Sequence, residues 1–388
     1  MKPLAISDAL NKEIINWRRD LHKIPEVGLD LPKTRNLLKK ELNDIGMTID
    51  FDKDCSGFTS TIKSKVQTNK TIALRFDMDG LPITEETDLS FSSQHTGRMH
   101  ACGHDAHMAV GLGVVKYLKN NENNLKTNVK FIFQPGEESP GGAEVMIKNG
   151  VLRDVDRIVG FHIGIFDYLK TGQIGISYEP SMASLDRFLI EIKGKGSHGG
   201  MPHAAIDPIL ISASIIQEIQ SLISRELSPT NAGVISLGMI NGGTSYNIIP
   251  EKVKLEGTAR FIDEHDRQRI SSRMDILINK IVEGKGGKVN FNYIFGYPPV
   301  VNDTKFTLKF EKIARRIIGK ENVINISKPT MAGEDMSYFL KEVPGTYFFL
   351  GGLKEHQHHN PKFDIDENSL KTAANILINI VDQWDDEV

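Results

Sequence analysis

Cysteine is scarce in this 388-residue sequence: Cys55 and Cys102 are the only two. Two thiols cannot make a disulfide framework, and a chain of this length has core enough without one. A reduced, cytoplasmic compartment is therefore expected. Charge of one sign is missing too, since 47 Lys and Arg stand against 50 Asp and Glu for a formal net charge of −3. That balance argues against nucleic acid as the main partner, because neutralising phosphates needs a basic surplus. No apolar stretch of signal-peptide length follows Lys2. The longest uncharged run, Leu227 to Pro250, has the length to span a bilayer. It carries Pro229, four glycines and three asparagines, so it reads as strand and turn, and no membrane partner is expected.

What is present belongs to an ordinary folded protein, 39% hydrophobic and 25% charged. At roughly 150 residues per domain, the length suggests two or three domains. Ile6, Leu10, Ile14, Trp17 and Leu21 recur at helical spacing, with Ser7 or Asp8 as the cap. A second helix carries Leu38, Leu42 and Ile45, with Gly46 placed to end it. Apolar runs at Thr71–Phe76, Val129–Phe133 and Arg157–Phe161 then each end in polar residues, with helical stretches between them. Buried strands alternating with helices imply a mostly parallel sheet, whose ligand sites lie at the carboxyl ends of its strands.

The middle of the chain has another rhythm. A strand at Arg187–Lys193 precedes a helix with Ile209, Ile216, Ile219 and Ile223 in phase. Strands at Gly233–Ile240 and Lys252–Phe261 follow, then a helix with Ile270, Met274, Leu277 and Ile281, then a strand at Lys288–Phe295. This βαββαβ order is the ferredoxin-like split unit, in a block of roughly a hundred residues. After Val300 the pattern returns to helix and strand, closing on a helix capped near Asp366. The fold class expected is α/β: a mostly parallel-sheet domain (1–182 and 298–388) interrupted by an α+β domain (183–297).

Residues able to do chemistry gather after the apolar strands. Asp77-Met78-Asp79 follows the first and Gln134-Pro135-Gly136-Glu137-Glu138 the second, and His162 ends the third. His100-Ala101-Cys102-Gly103-His104-Asp105 packs a thiol, two imidazoles and a carboxylate into one loop-to-helix junction, and thiolate with imidazole suits zinc and related divalent ions. Taken alone, Cys102-Gly103-His104 reads first as a buried thiol beside a capping histidine. Glu137-Glu138 alone reads first as a solvated turn, and His356-Gln357-His358-His359 as a surface loop.

In order along the chain stand Asp77-Met78-Asp79-Gly80-Leu81-Pro82, His100-Ala101-Cys102-Gly103-His104-Asp105, Gln134-Pro135-Gly136-Glu137-Glu138, Gly196-Ser197-His198-Gly199-Gly200-Met201-Pro202-His203 and His359-Asn360-Pro361-Lys362-Phe363-Asp364. Together they resemble the aminoacylase/hippurate-hydrolase branch of the metal-dependent amidohydrolases and carboxypeptidases. That group includes auxin-conjugate hydrolases, N-acyl-amino-acid amidohydrolases and N-acetyldiaminopimelate deacetylases. The resemblance implies hydrolysis of N-acetyl or N-aroyl amino acids, with dipeptidase or carboxypeptidase-type cleavage as the alternative. It implies two divalent ions (Mn, Zn, Ni or Co) held by Cys102, His104, Glu138, His162 and His359. Glu137 takes the general-base role, and Asp79 orients a ligand, with Asp77 a less certain neighbour. The inserted domain becomes a lid and the contact of a homodimer or homotetramer. On it, His198 stabilises an oxyanion, while Asn247 and Arg260 resemble substrate-side positions; Glu334-Asp335, after Ala332-Gly333, matches another motif at the site's edge.

Overall fold

The computed structural model describes residues Pro3 to Asp385, which form two compact units. The first unit contains the described residues up to Glu179, Val301–Ser327, and the described residues from Asp335 onward. Its eight-stranded sheet runs, edge to edge, Asp50–Phe51, Phe58–Ile62, Asn128–Gln134, Thr71–Asp77, Arg157–Ile163, Gly345–Leu350, Ile174–Ile176 and Val323–Asn325. The four central strands, from Asn128–Gln134 to Gly345–Leu350, are parallel to one another, while antiparallel pairings flank them. Thr71–Asp77 and Gly345–Leu350 are buried at every residue, as strands covered on both faces must be. The helix His104–Asn120 is buried nearly all round and packs on Asp8–His22 and Ser369–Gln383. A helix apolar on every side has no solvent face to spare, so it sits within the core.

Local chemistry explains the ends. Ser7 is the cap of the first helix, its side chain accepting the Leu10 amide at 3.1 Å. The last helix starts at Ser369, after Asn368, with no side-chain cap; the Asp366 carboxylate instead accepts the Asn368 amide in the turn before it.

The second unit comprises Pro180–Val300 and Lys328–Glu334. Its four strands are antiparallel, in the order Lys288–Ile294, Asp186–Lys193, Lys252–Phe261 and Gly233–Gly242. Helices Pro208–Ser221 and Glu264–Gly284 cover one face. The buried stripe of the first helix is Ile211, Ile215 and Ile219, and Ile209 is 46% exposed, so the phase differs from the Ile209–Ile216 expectation. Asp207 caps that helix at Ile209 and Leu210, which turns Ile209 outward at its first turn. Lys328–Glu334 joins this unit although the helix-and-strand pattern leaves it with the other. Met182 bridges Thr330, and the Ala183 amide donates to the Thr330 and Ala332 carbonyls. Leu227–Pro250 forms strand and turn, and no described helix is long and apolar enough to cross a membrane.

Candidate metal centre and its surroundings

The carboxyl edge of the four parallel strands collects the polar residues. Thr71–Asp77 delivers Asp77 and Asp79, Asn128–Gln134 delivers Glu137 and Glu138, and Arg157–Ile163 delivers His162. The loop after Gly345–Leu350 delivers His359, and His104 opens its helix. Gly103, between Cys102 and His104, has φ +87°, and a Cβ there would lie 2.6 Å from Ile163 Cγ2. Only glycine fits that left-handed turn, which brings thiol and imidazole to the same edge.

The hydrogen-bond network assigns the ring protons. His104 Nδ1 donates to the Asp79 carbonyl at 2.9 Å, so in the neutral ring the lone pair is on Nε2. That Nε2 is buried and has no hydrogen-bond partner among the described residues. His162 Nδ1 donates to the Ile163 carbonyl at 2.9 Å, so its Nε2 also carries a lone pair, 3.3 Å from Cys102 Sγ. His359 Nε2 reaches Glu138 Oε1 at 3.0 Å from a left-handed backbone (φ 62°), anchored by its amide on the Ala101 carbonyl. Three overlapping groups result: Cys102, His104 and His162; Cys102, Glu138 and His359; His104, Glu137 and Glu138. Within each, ligand-type atoms all lie within 4.8 Å of one another. Two lone-pair imidazole nitrogens, a thiol and carboxylates facing one point are a donor set suited to divalent cations, and the orphaned His104 Nε2 is the atom that most needs one.

Electrostatics agree. Burial opposes a charged His104, but Asp77, Asp79 and Glu138 outweigh it and lift the imidazole to about 10. Burial and then Glu138 and Glu137 push the Cys102 thiol well up. Protons therefore hold positions that a cation would take, displacing them on binding. Asp77 stays well below the usual carboxylate range despite its burial, held there by His104, His107 and Arg75.

Asp79 grips the neighbouring loop: its Oδ1 and Oδ2 accept the Glu137 and Glu138 amides, both at 3.0 Å. Asp77 Oδ1 accepts from His107 Nδ1 at 2.5 Å, while the Ile163 amide donates to His107 Nε2. Sequence reasoning passed over His107, although it lies three residues beyond His104 on the same helical face. It also passed over Arg75, two residues before Asp77 on one face of a strand, whose Nη1 donates to Asp77 Oδ2 at 2.6 Å. His358 donates from Nε2 to the Ile163 carbonyl, stacking edge-on to His162 rather than joining the cluster.

His198, Asn247, Arg260 and Glu334 lie in the second unit. The short strand Ser197–His198 pairs with Ile248–Ile249, and the Gly199 amide donates to the Asn247 carbonyl, so His198 and Asn247 are neighbours. The Gly200 amide donates to His198 Nδ1 at 3.1 Å, which leaves the proton of the neutral ring on Nε2. Among the described residues, the hydrogen bonds of Arg260 go to neutral oxygens, Thr258 Oγ1 and the Met331 carbonyl, both at 3.3 Å. Glu334 is buried.

The chain matches the family model described as peptidase family M20/M25/M40 over residues 73–383. It is 36% identical to the N-acetyl-L-cysteine deacetylase of Bacillus subtilis over 368 residues, covering 95% of this chain and 87% of that protein. With the N-acetyldiaminopimelate deacetylase of Priestia megaterium it shares 35% identity, covering 94% and 96%. A solved Bacillus subtilis structure described as a dinuclear metal binding peptidase from the M20 family superposes with a TM-score of 0.84 at 32% identity, covering 97% and 98%. Lone-pair imidazoles, thiol and carboxylates on one sheet edge, with similarity running over almost the whole length, lead to one conclusion: this chain is a member of peptidase family M20/M25/M40.

Proposed function

We propose that this chain hydrolyses the amide bond of N-acyl amino acids, with Glu137 as the group that moves the proton. The observation supporting it most is the pair of fixed tautomers: in their neutral rings His104 turns an Nε2 lone pair toward Cys102, Glu137 and Glu138, and His162 turns one toward Cys102. Cys102, His104, Glu138, His162 and His359 are the residues to hold two divalent cations, of which manganese, zinc, nickel and cobalt are the candidates. Such cations, when bound, supply the Lewis acidity that activates water and polarises a carbonyl.

The protein groups do the rest. The Glu137 carboxylate accepts a proton from the attacking water and returns it to the departing amine, base first and acid second. Asp79 holds the Glu137 and Glu138 amides, so both carboxylates leave their loop at fixed angles. His198, protonated on Nε2, is suited to donate to the developing oxyanion. Arg260, whose guanidinium hydrogen-bonds to neutral oxygens among the described residues, suits the substrate's carboxylate, and Asn247 and Glu334 are further substrate-side candidates. The two deacetylase relatives act by name on different amino acids at nearly equal identity, which supports the deacylase class and leaves the amino acid to experiment. A dipeptidase or carboxypeptidase-type activity is the second reading, favoured by the peptidase name of the solved relative.

Assembly as a homodimer or homotetramer through the second unit belongs to the same proposal. The Gly233–Gly242 strand is a sheet edge with Met239 and Ile240 53% and 57% exposed, and an open apolar edge calls for a cover. A reduced cytoplasmic setting suits a chain whose two thiols are both free. The test is amine release from N-acetylcysteine, N-acetyldiaminopimelate and N-benzoyl amino acids, with added manganese or zinc and again with a chelator. Chelator-sensitive release supports the proposal. Silence on this panel with release from dipeptides transfers it to the peptidase reading.

A further inference from the structure

The loop that carries Glu137 and Glu138 is held from a second side. Asp335, wholly buried, stands just before the helix Met336–Glu342. Its Oδ2 accepts from Gln134 Nε2 at 2.7 Å, the Gly142 amide at 3.1 Å and the Ala143 amide at 3.0 Å. Its Oδ1 accepts from Arg75 Nη2 at 2.7 Å. One carboxylate thus ties together both ends of the 134–143 segment, roughly two hundred residues away in sequence. Arg75 extends the tie: Nε donates to Gln134 Oε1 at 2.9 Å, and Nη1 donates to Asp77, the acceptor for His107. The segment has little slack, since a Cβ on Gly142 would meet the Pro135 carbonyl oxygen at 1.8 Å.

A buried carboxylate with that many donors is costly to place unless every bond is made, and these are charge-assisted bonds of the stronger kind. Asp79 grips the middle of the same segment through the Glu137 and Glu138 amides. The two anchors divide the labour. Asp79 sets the two residues that carry carboxylates, and Asp335 closes the loop beneath them and aligns Arg75 with Asp77.

We propose that Asp335 is a positioning residue for Glu137 and Glu138, acting through the Gln134, Gly142 and Ala143 donors and through Arg75. The inference rests on the reading of Glu137 as proton carrier, and it is tested by a measurement that does not need turnover. Asp335→Asn keeps the shape but removes the charge and turns an NH2 toward one set of donors.

In the metal-loaded variant, amide hydrogen exchange across 134–143 should quicken by about tenfold or more, while the Thr71–Asp77 strand exchanges as in the wild type. With the best substrate, kcat should fall by about tenfold or more with KM within about threefold, the signature of misplaced chemistry rather than lost binding. Unchanged exchange across 134–143, or kcat within about twofold of wild type, overturns the proposal. If Asp335→Asn does not fold, Gln134→Met removes two of the same bonds, to Asp335 and from Arg75, at similar volume and should quicken exchange in the same segment; unchanged exchange there overturns it as well. A wild-type protein that releases no amine from any panel substrate removes the deacylase reading, and the exchange result still decides whether Asp335 anchors the loop.

Discussion

Asp79→Asn is the substitution whose cost can be worked most directly from the geometry. The carboxylate is buried, with each oxygen 3.0 Å from a backbone amide, Glu137 on one side and Glu138 on the other. Asparagine keeps one acceptor and points an NH2 at the other amide. One charge-assisted hydrogen bond is lost, worth about 1.5–3 kcal/mol, and a buried N–H is left facing a donor. If that loss falls on the transition state, kcat drops about 10- to 150-fold. The His104 ring should keep its tautomer, because it is fixed by the Asp79 main-chain carbonyl, which the substitution retains. KM should therefore stay within about threefold, since the substrate's own contacts are not the ones removed. Steady-state kinetics on the best N-acyl amino acid, with cation content measured on the same sample, is the assay. A kcat within about twofold of wild type would refute the reasoning, because it would mean the loop holds Glu137 without this carboxylate.

Three further predictions follow from the same contacts. Cys102→Ala should lower the cations bound per chain, measured by elemental analysis after dialysis; unchanged stoichiometry would remove Cys102 from the ligand set. Arg260→Met should raise KM for N-acyl amino acids by about tenfold or more with little change in kcat, and equal KM values would place the substrate carboxylate elsewhere. His22 supplies a pH test. Burial opposes its charge, but the Asp105 carboxylate at 2.7 Å and Glu85 outweigh it and raise the imidazole to about 8. A folded pKa above the unfolded value means the stabilisation is fully present below pH ~6.5 and is lost as pH rises through about 8. His22→Gln should therefore be most destabilising at pH 6, by roughly 2 kcal/mol more than at pH 9 in denaturant unfolding. A gap of equal size at both pH values would contradict the assignment.

How far the sequence reaches depends on the kind of contact. Thr71–Phe76, Val129–Phe133 and Arg157–Phe161 read as buried strands because their apolar runs end in polar residues, and the structure extends each by only a residue or two. The polar residues after them fall on one sheet edge, since parallel strands share their carboxyl ends. The central strand Gly345–Leu350 has the length and aromatic enrichment of a buried strand, but no site residue stands directly after it to draw notice. Lys328–Glu334 goes with the second unit through Met182 and Ala183, which are far off in sequence, a distance the helix-and-strand pattern does not carry. Arg75 escapes the sequence for a related reason, and Asp335 is legible there only as part of the Glu334-Asp335 motif, without its partners. Their meaning lies in a bond between residues 260 positions apart, and neither propensity nor periodicity encodes that distance.

The central claim is that Glu137 moves the proton while its neighbours hold the cations. Glu137→Gln, purified and analysed for bound cations and for amine release, tests it most directly. The account predicts cation content equal to wild type and release lowered by about a thousandfold, within the range for loss of a general base. Release within a few-fold of wild type, with the cations in place, would contradict it.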